Sequence, residues 1–100
     1  MIRHKFNAKP TELDGIKFSS NKEAKRYTEL KILKSSSEVL FFLRQVPFHL
    51  PGNVRYVCDF MVFWNNGEIT IEDVKGMKLP LYEAKKKILE ATYPIEITEI

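Results

Sequence analysis

Asp59, Asp73 and Lys75 are the residues of this chain whose types and spacing suit chemistry at a phosphate. A hard divalent cation such as Mg2+ takes oxygen ligands, commonly one or two carboxylates with water and substrate phosphate in the remaining positions. Two aspartates brought together meet that need. The ion they hold lowers the pKa of a water and polarises a phosphoryl oxygen, while an ammonium beside them orients the nucleophile or offsets developing charge. Such a set hydrolyses phosphodiesters, with Mg2+ as the expected cofactor and Mn2+ able to substitute.

Whether the two acids meet depends on a hairpin. Arg55 to Trp64 and Glu68 to Lys75 read as strands, separated by Asn65-Asn66-Gly67. A two-residue loop of Asn66-Gly67 pairs Asp59 with Val74 and leaves Asp73 on the opposite face, whereas a loop of Asn65-Asn66 pairs Asp59 with Glu72. A three-residue loop over 65–67 pairs Trp64 with Glu68, sets Asp59 opposite Asp73 and turns Lys75 to the same face. That loop needs glycine in its last place, where Gly67 stands, so it is favoured. Facing acids repel by about 0.2 to 1 kcal/mol or more, a conflict that a cation between them removes. Glu72 then points to the other face as a structural or supporting group; a slip of one residue would make it the second acid instead of Asp73.

The remaining elements must hold this hairpin. Ser20-Asn21-Lys22-Glu23 is a capping-box pattern, and Ala24, Tyr27, Leu30 and Leu33 follow at helical spacing, which predicts a helix over residues 20–34. A first strand is expected near 43–50, with Pro47 marking it as an edge or a bulge, and Pro51-Gly52-Asn53 as the turn after it. Pro80 opens a second helix with Leu81, Ala84, Ile88 and Ala91 on one face, ended by Pro94, and a last short strand lies within Ile95 to Ile100. The expected order is α-β-β-β-α-β, an α+β fold in the form of an α/β sandwich around a central mixed sheet. Residues 1–14 read as a basic arm and 15–100 as a single domain.

With these elements in place, Asp59-Phe60 followed by a hairpin and Glu72-Asp73-Val74-Lys75-Gly76 resembles the bipartite signature of the PD-(D/E)xK, or restriction-endonuclease-like, nuclease superfamily. Gly15-Ile16-Lys17-Phe18-Ser19-Ser20, Glu23-Ala24 and Gln45 extend the likeness to small phage and prophage proteins related to Holliday junction resolvases. The resemblance runs from about Gly15 to the C-terminus and departs from the superfamily at Cys58, where a proline is nominal. It implies a restriction-endonuclease-like core, Asp59 and Asp73 as metal ligands, Lys75 as the catalytic lysine, Glu23 as a further acid at the metal and the Val74 carbonyl as an extra ligand. The implied activity is that of a Mg2+-dependent DNA endonuclease selective for branched structure. A general or end-trimming phage nuclease, a DNA-binding module without catalysis and a structural phage protein are the alternatives. Two coordinated cuts from a chain with one site imply a homodimer.

Composition bounds the rest. Apolar residues make up 44% and charged residues 29%, a globular balance. Residues 1–34 carry nine Lys or Arg against four acids within a net charge of +3, which suits a polyanion such as DNA and equally a solvated helix face. Arg3, Lys5 and Lys9 on the arm, and Lys85 and Lys86 on the second helix, are the candidate phosphate contacts. Glu23 also reads simply as the capping partner of Ser20. No apolar run approaches a membrane span and no leader pattern opens the chain, so a cytoplasmic protein of a phage-bearing host, with no membrane partner, is expected. The single Cys58 excludes an internal disulfide and reads as a buried thiol. His4 and His49 have no triad or metal-ligand spacing, and Phe41, Phe42, Phe60 and Trp64 read as core.

Overall fold

A computed structural model describes residues 11–74 and 79–100. Among the described residues the elements are β1 (Thr11–Leu13), β2 (Ile16–Phe18), α1 (Asn21–Ser35), β3 (Val39–Leu50), β4 (Val54–Trp64), β5 (Ile69–Asp73), α2 (Pro80–Thr92) and β6 (Ile97–Glu99). The expected order is present, preceded by a hairpin. β1 and β2 pair antiparallel with Leu13 beside Ile16, so Asp14-Gly15 is a two-residue loop, and both have positive φ (53° and 75°) as a type I′ turn requires. The boundary expected at residue 14 falls inside this hairpin. The flanking strands are only three residues long, too short for alternation to mark them in the sequence.

β3 to β6 form a four-stranded mixed sheet in the order β3-β4-β5-β6, antiparallel except for the parallel β5–β6 pair. Pro47 lies on β3, an edge strand, where its missing N–H breaks no ladder bond within the sheet. α1 starts where the capping residues put it: the Ser20 side chain accepts the Glu23 N–H at 3.1 Å. Its inward face is Glu23, Ala24, Tyr27 and Leu30, packed with Phe18, Val39, Phe60 and Val62. The hairpin is tied to this helix through Asp14, which accepts from Tyr27 Oη at 2.8 Å and pairs with Lys31.

α2 is rotated from its expected phase. Leu81 is 67% exposed and Ile88 42%, with Ala84 and Ala91 also exposed, while Leu89 is fully buried and Tyr82 and Tyr93 pack beside it on the sheet. The buried stripe carries polar tips that its environment satisfies: Tyr82 Oη donates to Glu99 at 2.8 Å, Lys86 Nζ reaches the same carboxylate at 3.4 Å, and Tyr93 Oη donates to the His49 carbonyl at 2.6 Å. Two aromatic bodies outweigh two alanines in buried area, so the purely aliphatic stripe is the one left outside.

The long strands serve both helices. Phe42, Phe60 and Val62 pack with α1, whereas Val46, Phe48, Leu50, Tyr56 and Cys58 pack with α2, although all are even-numbered. Strict alternation would place them on one face, so the side-chain phase inverts between the two groups. The inversion coincides on β3 with Gln45, whose φ is +52°, and on β4 with Asp59, between the Arg44–Phe60 and Val46–Cys58 pairs. Met61 and Ile71 face α2 while Phe60 and Glu72 face α1, so the helices cover opposite faces of the sheet.

Candidate active site

The β4–β5 turn decides which acid accompanies Asp59. Trp64 N–H donates to the Glu68 carbonyl at 2.9 Å and Gly67, with φ +92°, donates back to the Trp64 carbonyl at 3.1 Å. The ladder runs from Phe63–Ile69 to Phe60–Glu72, a register that, extended by one step, sets Asp59 opposite Asp73. The three-residue loop is therefore the register adopted.

Glu72 points to the α1 face, where its buried carboxylate takes both Nε (2.8 Å) and Nη2 (2.6 Å) of Arg26. This bidentate pair gives Glu72 a structural occupation. Asp73 is likewise buried but on the α2 side, in a cleft of about 260 Å3 lined by Arg55, Tyr56, Val57, Leu79, Tyr82 and Lys85. The Tyr56 hydroxyl in that cleft is buried and has no hydrogen-bond partner among the described residues. A buried hydroxyl without a partner costs free energy, which an arriving oxygen acceptor would recover.

Asp59 joins three segments. Its Oδ2 accepts the Val74 N–H at 2.7 Å, fixing the carboxylate against the end of β5, and its Oδ1 accepts from Gln45 Nε2 at 3.3 Å. The same nitrogen donates to Glu23 Oε2 at 3.1 Å, while Ser19 Oγ donates to Glu23 Oε1 at 3.0 Å and Arg44 stands 3.8 Å away. Burial, and next the neighbouring Asp59 charge, push the Glu23 carboxyl above its ordinary range. Ser20 caps the backbone of Glu23, but the Glu23 carboxylate is turned to Ser19, Gln45 and Asp59, so it has a use beyond the helix start.

The structure thus brings Glu23, Asp59 and the Val74 backbone together and sets Asp73, the residue before Val74, in the cleft on the α2 side. Among the described residues, no three of the His, Cys, Asp and Glu side chains gather closely enough to hold a metal ion. Lys75, Arg3, Lys5 and Lys9 lie outside the described residues. Lys85 flanks the Asp73 cleft and contacts the Arg55 carbonyl at 3.4 Å, whereas Lys86 is engaged by Glu99. Cys58 is buried, and that burial pushes its thiol up to about 11. Phe60 is core as expected, but Phe41 is 44% exposed and stacks on Phe63 at 4.3 Å, because α1 packs on the opposite face at that end of the sheet and the α2 cluster does not extend to Phe41.

Gln45, Arg44, Arg55 and Tyr56 are the neighbours that sequence reading left out of the site. Gln45 was within reach of the argument already used for Asp73: the three-residue turn at Pro51-Gly52-Asn53 pairs Leu50 with Val54 and carries Gln45 to the rung of Asp59. The left-handed backbone at Gln45 has no sequence signal, since glycine is the residue that advertises it. A family model described as "Protein of unknown function (DUF1064)" matches residues 3–99. No curated protein and no solved structure matches the chain.

Proposed function

The chain belongs to the DUF1064 family, and we propose that it is a metal-dependent DNA endonuclease of the PD-(D/E)xK type, acting on branched DNA as a homodimer. The observation that carries the reading is the convergence of segments remote in sequence on Asp59 of β4: β3 through Gln45, which also holds Glu23 of α1, and the end of β5 through the Val74 N–H. A fold needs no such meeting of acids: burial first, and then the Asp59 charge, push the Glu23 carboxyl above its ordinary range.

The donor set fits a hard cation, since Glu23 and Asp59 offer carboxylate oxygens drawn to a single amide N–H2 group. Glu23 and Asp59 are the pair placed to hold it, and on this reading Asp73, whose carboxylate lies on the α2 side, and the Val74 carbonyl would complete the set. Bound there, Mg2+ or Mn2+ supplies Lewis acidity toward a phosphoryl oxygen and a water acidic enough to attack near neutral pH. The protein's own groups prepare that event. The Val74 N–H holds Asp59 in one rotamer, and Gln45 holds Asp59 and Glu23 toward each other. Tyr56 offers a buried hydroxyl to a phosphate oxygen, with Arg55 and Lys85 beside it to attract the backbone. Lys75 takes the role of orienting the nucleophile and offsetting charge in the transition state.

Incubating labelled four-way junction, flap and linear duplex with the protein in Mg2+ or EDTA tests the reading. Metal-dependent cutting concentrated on the junction is expected. Equal cutting of all three would retain the nuclease and remove the branch preference, and DNA binding without cutting under any metal would replace it with a binding module.

A further inference from the structure

Gln45 stands where strict strand alternation would not put it. Arg44, the residue before it, lies on the α1 side, its guanidinium over the Phe18 ring at 4.7 Å and 3.8 Å from Glu23, and Val46, the residue after it, packs with α2. A regular strand would turn Gln45 away from Arg44. With a left-handed backbone, φ +52°, Gln45 instead reaches the same carboxylate as its neighbour. There each of the two acids keeps one oxygen occupied and offers the other to Gln45. Glu23 Oε1 accepts from Ser19 at 3.0 Å and Asp59 Oδ2 from the Val74 N–H at 2.7 Å, while Glu23 Oε2 and Asp59 Oδ1 both turn to Gln45 Nε2, at 3.1 and 3.3 Å. Ionised carboxylates only accept, so the amide has to present its N–H2 end to them.

We propose that Gln45 is a further oxygen ligand of the cation that Glu23 and Asp59 would hold, its amide turning end for end so that N–H2 faces the two acids without a cation and the carbonyl oxygen faces the ion with one. The inference rests on the proposed metal-dependent reading and adds to it a ligand that no acid supplies. The chemistry of the side chain supports it. Carboxylate and carbonyl oxygens together suit Mg2+ and Mn2+. The amide is neutral, so it ties the acids without cancelling their charge, whereas a Lys or Arg in its place would form an ion pair and compete with the cation. Its two ends have nearly the same shape and its terminal torsion is broad, so the turn needs neither extra room nor a movement of β3. Ser19 and the Val74 N–H keep Glu23 Oε1 and Asp59 Oδ2 in place meanwhile, so Glu23 Oε2 and Asp59 Oδ1 stay directed at Gln45.

Metal binding by the full chain without DNA tests the assignment independently of cleavage. Mn2+ titration followed by the paramagnetic resonance of the free ion should give a Kd that rises roughly tenfold or more in Gln45→Leu, which loses the oxygen, and is restored or lowered in Gln45→Glu, which keeps it and adds charge. Without metal Gln45→Glu should melt below the wild type, because three acids then face one another, yet gain more Tm from Mn2+ than the wild type does. A bridge that only ties the acids would produce the first effect and not the second. In nitrogen-15-labelled wild type, the Gln45 side-chain amide resonance, assigned through its bonds to the Gln45 backbone, should shift on addition of Mg2+ as its protons leave the carboxylates. If Gln45→Leu does not fold, that shift decides. Gln45→Leu binding Mn2+ as tightly as the wild type or more tightly, or an amide resonance indifferent to Mg2+ in a protein that binds the ion, would overturn the proposal and leave the nuclease reading standing. A wild type that binds neither ion would overturn both, and a Gln45-dependent Kd in a protein that never cuts DNA would keep the ligand and remove the enzyme.

Discussion

Replacing Arg26 with Met should destabilise the protein severely, and the reason lies in its partner. The Glu72 side chain is 2% exposed and its oxygens are held at 2.6 and 2.8 Å by one guanidinium. Without Arg26 the carboxylate stays buried with its counter-charge gone, a change that costs about 3 to 5 kcal/mol. The contact to the exposed Glu29 adds little, since surface pairs contribute about 0 to 1 kcal/mol. Small domains unfold with about 5 to 15 kcal/mol, so the loss is a large part of the total. With a urea m-value on the order of 1 to 2 kcal/mol per molar, the unfolding midpoint should fall by roughly 2 M or more. Arg26→Met combined with Glu72→Leu should recover most of the loss, because no charge is left buried. Urea titrations of the wild type, both single variants and the double variant read this cycle directly. If Arg26→Met costs less than about 1 kcal/mol, Glu72 is not committed to that pair, and the separation of a structural Glu72 from a functional Asp73 fails with it.

Leu89→Ala should cost about 2 to 5 kcal/mol and Leu81→Ala about 0.5 kcal/mol or less, because α2 buries the first and exposes the second; comparable losses would contradict the helix phase. Glu23 holds its proton more tightly folded than unfolded, so its ionisation lowers stability as pH rises above the ordinary carboxylate value. Glu23→Gln should therefore raise Tm at pH 7, with the gain fading as pH drops below 4.5, and a Tm gain unchanged by pH would exclude this cause. Iodoacetamide at pH 8 should alkylate Cys58 slowly in the native protein and quickly in urea, since burial keeps the thiol protonated to about pH 11; equal rates would show an accessible thiolate.

Much of the site was legible because turn chemistry is local. Gly67 in the last place of a three-residue loop set the β4–β5 register, and that register alone distinguishes Asp73 from Glu72. Ser20 and the spacing of Ala24, Tyr27 and Leu30 gave α1 within one residue. What escaped was decided by tertiary packing. The α2 stripe depends on Tyr82 and Lys86 finding Glu99, a partner beyond the helix itself, and so no period within the helix could reveal it. The phase inversion at Gln45 and Asp59 breaks the alternation on which strand reading relies, and it does so at the rung where the acids meet. Left-handed strain of that kind, in a non-glycine residue, is held by the surrounding structure rather than by local preference. Arg26 carries no local signal of its role, because its partner Glu72 is brought to it by the β5 register.

On the proposed nuclease reading, Asp59 and Asp73, and not Glu72, would carry metal-dependent cleavage. Junction cutting in Mg2+ by the wild type, Asp59→Asn, Asp73→Asn and Glu72→Gln, each at a concentration where circular dichroism shows it folded, tests that claim most directly. Both aspartate variants should lose cleavage while Glu72→Gln retains it; loss in Glu72→Gln with activity preserved in Asp73→Asn would overturn that assignment.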